Sequence, residues 1–265
     1  MTTSTAPAHR DHCAGASGPV HTDGPRSDSS ESLTDHARCY YCCMIDAGRW
    51  GAIRDLADRQ FGLFTTAQAR NLGVAPYVLA RLASREAIVR VHHGVYEVPE
   101  SSAWTTLGDW AAQWLALHPA ADIEDRRTHP DSVVSHAAAA QVLRLGTITA
   151  SGLELSSPHR INVRDPSVRT WRRPIGDRGR DWDLVDGLPV TTPARTVVDL
   201  LLTHGDGGHI GTALHTCLTE SLVDADELIA ACDRAAPRWN YASGAELFAS
   251  LLDQAQMPAE PVLVG

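Results

Sequence analysis

Residues 62–99 read GLFTTAQARNLGVAPYVLARLASREAIVRVHHGVYEVP, and this stretch decides the fold. Its second half holds two extended runs rich in β-branched residues, IVRV and VYEV, around a His92-His93-Gly94 turn. Gly94 can take the positive φ that a tight hairpin needs. A lone two-stranded hairpin is barely stable in water, so this one must pack on something. The first half supplies the partner. Thr65 with Gln68 spells a capping box and opens a short helix through Leu72, which Gly73 stops. A further helix comes next, with Pro76 in its first turn, where a missing N–H costs nothing. Upstream, Trp50, Ile53, Leu56 and Ala57 recur at helical spacing, and Gly62 can end that helix. Three helices and then a ribbon is the order of a winged helix-turn-helix, with the hairpin as the wing.

At 100° per residue, the helix after Pro76 places Ala75, Val78, Leu79 and Leu82 on one face. Tyr77, Ala80, Arg81 and Ser84 fall on the other. An apolar seam inward with small, polar or basic groups outward is what a helix entering the major groove requires. The expected DNA-contacting set is therefore Tyr77, Arg81 and Ser84 on the helix, with Arg85, Arg90, His92 and His93 on the way into and along the wing. The competing reading is a merely solvated face. Charge favours DNA: the chain carries −9 overall, but residues 49–96 carry +4 and residues 197–265 carry −8. The one basic block coincides with the proposed recognition surface.

Composition narrows the chemistry. All 23 basic residues are arginine. Without lysine there is no Walker-type phosphate loop, no Schiff-base lysine and no lysine-dependent nuclease site. The six cysteines are Cys13, Cys39, Cys42, Cys43, Cys217 and Cys232, a distribution that suits a reducing cytoplasm better than a disulfide framework. No apolar run reaches membrane-spanning length and no signal peptide is visible, so a cytoplasmic protein is expected. Residues 1–43 are polar and without period, and are expected to be disordered and dispensable, the folded unit beginning near Met44. Their His36, Cys39, Cys42 and Cys43 fit a zinc site poorly, because structural zinc takes separated pairs.

After Pro99 a second unit begins. Leu107 to His118 reads as an amphipathic helix, AADIEDRRTHPD (120–131) as a charged linker or loop, and HAAAAQVLRL as a helix capped by Ser135 and closed by Gly146. Short extended runs between 152 and 192 (INV, TWRRPI, WDLV, LPVT) predict a small sheet. TTPARTVVDLLL then starts a buried helix with Thr192 as cap and Pro193 at its first position. Helices are expected at 209–222, 225–235 and 244–255. The fold class is thus α+β: an N-terminal winged helix-turn-helix (46–100), then a C-terminal α/β domain with a small sheet and several helices (101–256). An extension (1–45) and a tail (257–265) flank them.

Residues 62–99, together with VVSHAAAAQVLRLG and GLPVTTPARTVVDLLL, resemble the AbiEi-type antitoxins of type IV, abortive-infection toxin–antitoxin systems, in their actinobacterial branch. The resemblance spans roughly 49–255. It implies a winged helix that represses the operon's own promoter and a C-terminal antitoxin domain opposing a nucleotidyltransferase-type toxin. It implies no cofactor and no enzymatic activity. The expected partners are duplex DNA and that toxin, with a homo-oligomer on DNA and no membrane. Relatives usually carry arginines where this chain has His92 and His93, and a polar cap where it has Ala75. The alternatives are a plain winged-helix regulator whose C-terminal domain dimerises or senses a ligand, and a nuclease.

Other candidate chemistry reads more simply as structure. Ser135-His136 has the residue types of nucleophile and base, but neighbours at a helix start are not expected to face each other, and there is no G-x-S-x-G elbow. Arg195 and Asp199, four apart on one helix, read as an intrahelical ion pair. His204, His209, His215 and Cys217 straddle a helix break. Asp224 with Glu227 reads as a helix N-terminus. Arg164, Arg169, Arg172, Arg173, Arg178 and Arg180 form a second basic cluster, open to DNA phosphate, to a toxin, or to solvent alone.

Overall fold

A computed structural model describes residues 45–99, 101, 107–203 and 205–256, the side chain of Gln256 excepted. The expected N-terminal extension with its cysteine cluster, His204 and the 257–265 tail lie outside the described residues.

Helix α1 (Ala47–Arg59) starts where the Asp46 carboxylate accepts from the Arg49 N–H at 2.9 Å. Phe61 and Gly62 then take φ of 65° and 74°, turning the chain into strand β1 (Leu63–Thr65). Thr65 caps α2 (Thr66–Asn71) with the full capping box: Gln68 N–H donates to Thr65 Oγ1 at 3.1 Å and Thr65 N–H to Gln68 Oε1 at 2.9 Å. Gly73, at φ 77°, ends it. Helix α3 (Pro76–Ala83) has proline in its first turn and no side-chain cap at Ala75. The ribbon comes next as β2 (Val89–His92) and β3 (Val95–Glu97), with a register shift between Arg90 and His92 and Gly94 at φ 73° in the turn. The sheet order is β1-β3-β2, antiparallel throughout. Ile53, Phe64, Leu79, Leu82 and Ile88 are fully buried between helices and sheet, each worth roughly 1.5–3 kcal/mol. This is the winged-helix arrangement, with β1 as an addition that the sequence pattern does not show.

The remainder is built on a second sheet. Helix α4 (Gly108–Leu117) leads to α5 (Ile123–Thr128), β4 (Val133–Val134), α6 (His136–Val142), β5 (Leu153–Ser157), β6 (Val168–Arg172), β7 (Trp182–Val185) and β8 (Leu188–Thr191). The strand order is β6-β5-β4-β8-β7, with β5–β6 and β4–β8 parallel and the other two pairs antiparallel. Then come α7 (Pro193–Leu202), α8 (Gly207–Thr219), α9 (Ala225–Ala235), a 3-10 turn (Ala236–Trp239) and α10 (Gly244–Gln256). Helices α6 to α10 share one apolar core around Leu145, Leu201, Leu214, Leu228 and Leu251.

Three expectations need correction. The charged segment 120–131 is not a loop: Asp122 caps α5, whose Arg126 is only 4% exposed. That guanidinium lies 3.6 Å over the Trp114 ring, donates to the Trp114 carbonyl at 2.9 Å and pairs with Asp131 at 3.1 Å. Burial lowers its pKa, and the Asp131 charge opposes that. Second, INV (161–163) forms no strand, whereas LELSS (153–157) and Val133–Val134 do. Third, α8 begins at Gly207 rather than at 209.

The winged segment is fastened to α4, α5 and the second sheet. Phe61, Leu63 and Val95 share an apolar cluster with Ala111, Trp114 and Leu115 of α4 and with Leu188 and Val190 of β8. Thr65 Oγ1 donates to the Pro119 carbonyl, and Gln68 Nε2 donates to that of Ala121 at 3.3 Å. The helix-turn-helix is therefore oriented by the second half of the molecule, not tethered to it by a linker.

Candidate nucleic-acid interface

The α3 seam lies as its spacing requires. Leu79 and Leu82 are buried, while Tyr77, Ala80, Arg81 and Ser84 face solvent. Tyr77 is 68% exposed and Val89, on the wing strand, 44%. Only Leu222 joins them as an exposed large hydrophobic among the described residues, so two of the three exposed apolar groups lie on this face. Isolated surface apolar groups are ordinary; these two stand beside exposed arginines. Arg81, Arg85 and Arg90 are exposed and pair with no carboxylate among the described residues. Ser84 donates to the Arg81 carbonyl at 2.9 Å, closing α3 and leaving its oxygen lone pairs outward. The chain turns sharply afterwards through Glu86, at φ 59°, and so brings Arg85 and the wing beside the helix.

The two wing histidines differ. His93 is exposed, and its Nδ1 accepts from Arg90 Nη2 at 3.0 Å. His92 faces the second sheet: its Nε2 lies 3.1 Å from Asp165 Oδ2. Only one member of the expected pair is thus presented outward, and the other fixes the wing's attitude. The sequence pattern treats them alike because nothing local names Asp165, which is 73 residues away.

The second basic cluster is mostly neutralised within the molecule. Arg178 pairs with Asp183 at 3.0 Å, and Arg180 with Asp181 at 2.8 Å and Asp177 at 3.1 Å. Arg169 lies 4.6 Å over Trp171 and 3.9 Å from Glu154. Arg195 and Asp199 form the expected i, i+4 pair at 3.2 Å, but Asp199 is 1% exposed and also draws Arg173 to 3.9 Å. Burial pushes the Asp199 carboxyl up, and the Arg195 charge pulls it back.

Ser135 and His136 do face each other, with Oγ to Nδ1 at 2.8 Å. The reason is the backbone: Ser135 is extended and His136 is left-handed at φ 55°, so the alternation expected of an ordinary helix start fails. Ser135 stands at the cap position without capping; its Oγ accepts from Ser156 Oγ at 2.9 Å. The His136 ring stacks on Trp171 at 4.4 Å. Burial holds its pKa down to about 3, with Arg173, Arg195 and Arg169 adding to the effect. The imidazole is therefore a weak base, packed against hydroxyls that solvent does not reach. Among the described residues no group of three or more His, Cys, Asp or Glu comes together to hold a metal ion. Likewise, no helix among them is long and apolar enough to cross a membrane.

Known proteins resemble this chain in part. Residues 52–99 match a family described as "Transcriptional regulator, AbiEi antitoxin". The matched segment runs from within α1 to the end of the wing, so the resemblance read from the sequence holds for the winged helix. The crystal structure of the RV2827C protein from Mycobacterium tuberculosis is similar at 15% identity, covering 82% of this chain and 83% of that one with a TM-score of 0.41. No curated protein matches the chain.

Proposed function

We propose that this protein is a DNA-binding autorepressor and the antitoxin of a type IV pair, opposing a nucleotidyltransferase-type toxin. The observation that carries the DNA half is the exposed face of α3 and the wing, where Tyr77, Arg81, Arg85, Arg90 and His93 stand together without carboxylate partners among the described residues. Helix α3 enters the major groove with Tyr77 and Arg81 toward base edges, and the ribbon lies along the flanking backbone. Residues 46–100 act as the reader and residues 101–256 as the antitoxin part, with DNA and toxin engaging different faces.

The antitoxin half rests on the family match together with charge. Residues 197–265 carry −8, and a toxin that handles tRNA or nucleotides needs a basic surface, which acidic helices would attract and orient. The test uses the whole chain, because cutting near residue 100 would uncover Phe61, Leu63 and Val95. Gel-shift titration against the operon's upstream fragment should give salt-sensitive binding, and co-expression with the neighbouring gene product should restore growth. Binding equal to that of an unrelated duplex rejects the repressor half, and unrelieved toxicity rejects the antitoxin half.

A further inference from the structure

The unmatched charge of the wing has a counterpart in the second unit. Residues 158–173 hold five arginines and one acid, Asp165, a net +4. That acid is occupied elsewhere. Its Oδ1 accepts from Ser167 N–H at 2.9 Å and Ser167 Oγ at 2.6 Å. Its Oδ2 accepts from Gln113 Nε2 at 3.2 Å and lies 3.1 Å from His92 Nε2. Arg169 and Arg173 each have a carboxylate at 3.9 Å, Glu154 and Asp199. Arg160, Arg164 and Arg172 are exposed and pair with no carboxylate among the described residues.

Two of these three arginines are placed on the side of the sheet that looks toward the wing. Arg164 precedes Asp165, so the contact between Asp165 and His92 brings its backbone against the wing. Arg164, Asn162 and Val168 line one cleft with His92 and His93, a space of about 530 Å³ between wing and second sheet. Because Val168 faces that cleft, strand alternation sends Arg172 to the same side of β6. Arg169 and Trp171 fall on the other side, where Trp171 stacks on His136. Four residues of strand separate Val168 from Arg172 by about 13 Å, or about four base-pair steps of a duplex. None of the exposed large hydrophobics among the described residues (Tyr77, Val89 and Leu222) lies in this segment. A protein partner would want an apolar, aromatic centre there, whereas a phosphate backbone asks only for spaced cations.

We propose that this strip is a second, sequence-independent contact for duplex DNA. With α3 in the major groove and the wing on the flanking backbone, Arg164 and the exposed amide of Asn162 hold the next phosphates across the cleft, and Arg172 holds phosphates farther along. The inference rests on the repressor reading above and carries the DNA face past residue 100 into the second unit.

Fluorescence-anisotropy titration of the full chain tests it, on the operon's upstream fragment and on an unrelated duplex of equal length, across a range of salt. Arg164→Ala and Arg172→Ala should each weaken both duplexes by the same factor, about three- to tenfold, at unchanged melting temperature. Each should reduce the slope of log K against log salt by about 1, and the double variant by about 2. Arg164→Lys keeps the charge and should keep the slope. Arg178→Ala removes one charge from a paired site and should leave the slope alone. If the double variant keeps the original slope while Arg81→Ala still weakens the operator, the strip is overturned and the repressor reading stands. Equal losses in Arg178→Ala and Arg164→Ala also overturn it, because net charge alone would then suffice. A double variant that binds DNA normally but no longer relieves toxicity assigns the strip to the toxin instead. Absence of salt-sensitive binding by the unsubstituted chain fells the repressor reading and this inference with it.

Discussion

The wing and the β6–β7 region are both rich in arginine, yet they use it oppositely. In α3 and the wing, Arg81, Arg85 and Arg90 stand in solvent with no carboxylate partner among the described residues, beside an exposed Tyr77. In the second region Arg173, Arg178, Arg180 and Arg195 reach Asp199, Asp183, Asp177 and Asp181, and Asp199 is buried. An arginine whose charge is met at home holds the fold, and one whose charge is unmet is available to an external polyanion. The count of basic residues cannot separate the two cases; the position of the acids does.

The sharpest way to break that comparison is to remove the central acid of the second region. Asp199→Ala takes the buried counter-charge from Arg195 and Arg173, and because Arg195 keeps Asp181 at 3.7 Å the cost should sit at the low end for a broken buried pair, about 3 kcal/mol. A large drop in the urea midpoint is expected, with DNA affinity of the remaining folded protein unchanged. A loss below about 1 kcal/mol would mean that these arginines are as superficial as ordinary surface pairs.

The same region should respond to acid through His136. Its pKa is about 3 in the folded chain against an ordinary 6.5, so the unfolded chain binds the extra proton as pH falls through 6.5. The stability contributed by the neutral ring is present above pH 6.5 and is lost progressively toward pH 3, amounting to about 3 kcal/mol by pH 4. In His136→Phe, which keeps a ring against Trp171, denaturation curves should show a shallower decline over that window. An unaltered decline would place the acid sensitivity elsewhere.

These two regions also show what the sequence discloses. Glycine and proline punctuation at Gly73, Pro76 and Gly94, with β-branched runs between, makes α2, α3 and the wing readable, because each signal acts within a few residues. Strand β1 escapes the pattern because three residues, all buried, have no alternation to detect. Helix α5 escapes it because polarity argues for solvent, whereas the Trp114 ring and Asp131 let Arg126 be buried. The Ser135–His136 contact depends on a positive φ at a residue that is not glycine, which no residue type announces. His92 reads as a DNA contact because its partner Asp165 is remote in the chain. Local physics is legible, and contacts made across the two sheets are not.

On the other side of the comparison, Arg81→Ala should weaken operator binding by about 1–3 kcal/mol if the guanidinium reads a guanine, with little change in stability because the side chain is exposed. Arg178→Ala serves as the counterpart. Its partner Asp183 is exposed as well, so neither stability nor DNA affinity should move by more than about 0.5 kcal/mol. Gel-shift titrations in which Arg178→Ala weakens binding as much as Arg81→Ala would erase the distinction between met and unmet charge.

The smallest expected effect separates the two wing histidines. Arg90 donates to His93 Nδ1 on the exposed turn, whereas His92 Nε2 lies against Asp165. His93→Ala frees the Arg90 guanidinium for phosphate, and each added phosphate contact releases roughly one counterion. DNA affinity should therefore rise by about 1 kcal/mol or less at moderate salt, with a slightly steeper salt dependence. His92→Ala should leave the salt dependence as it is, because His92 Nε2 faces Asp165 and removing the ring frees no cation on the outward face. Fluorescence-anisotropy titrations at two salt concentrations decide the matter. If His92→Ala steepens the salt dependence and His93→Ala does not, the wing's outward face has been assigned to the wrong histidine.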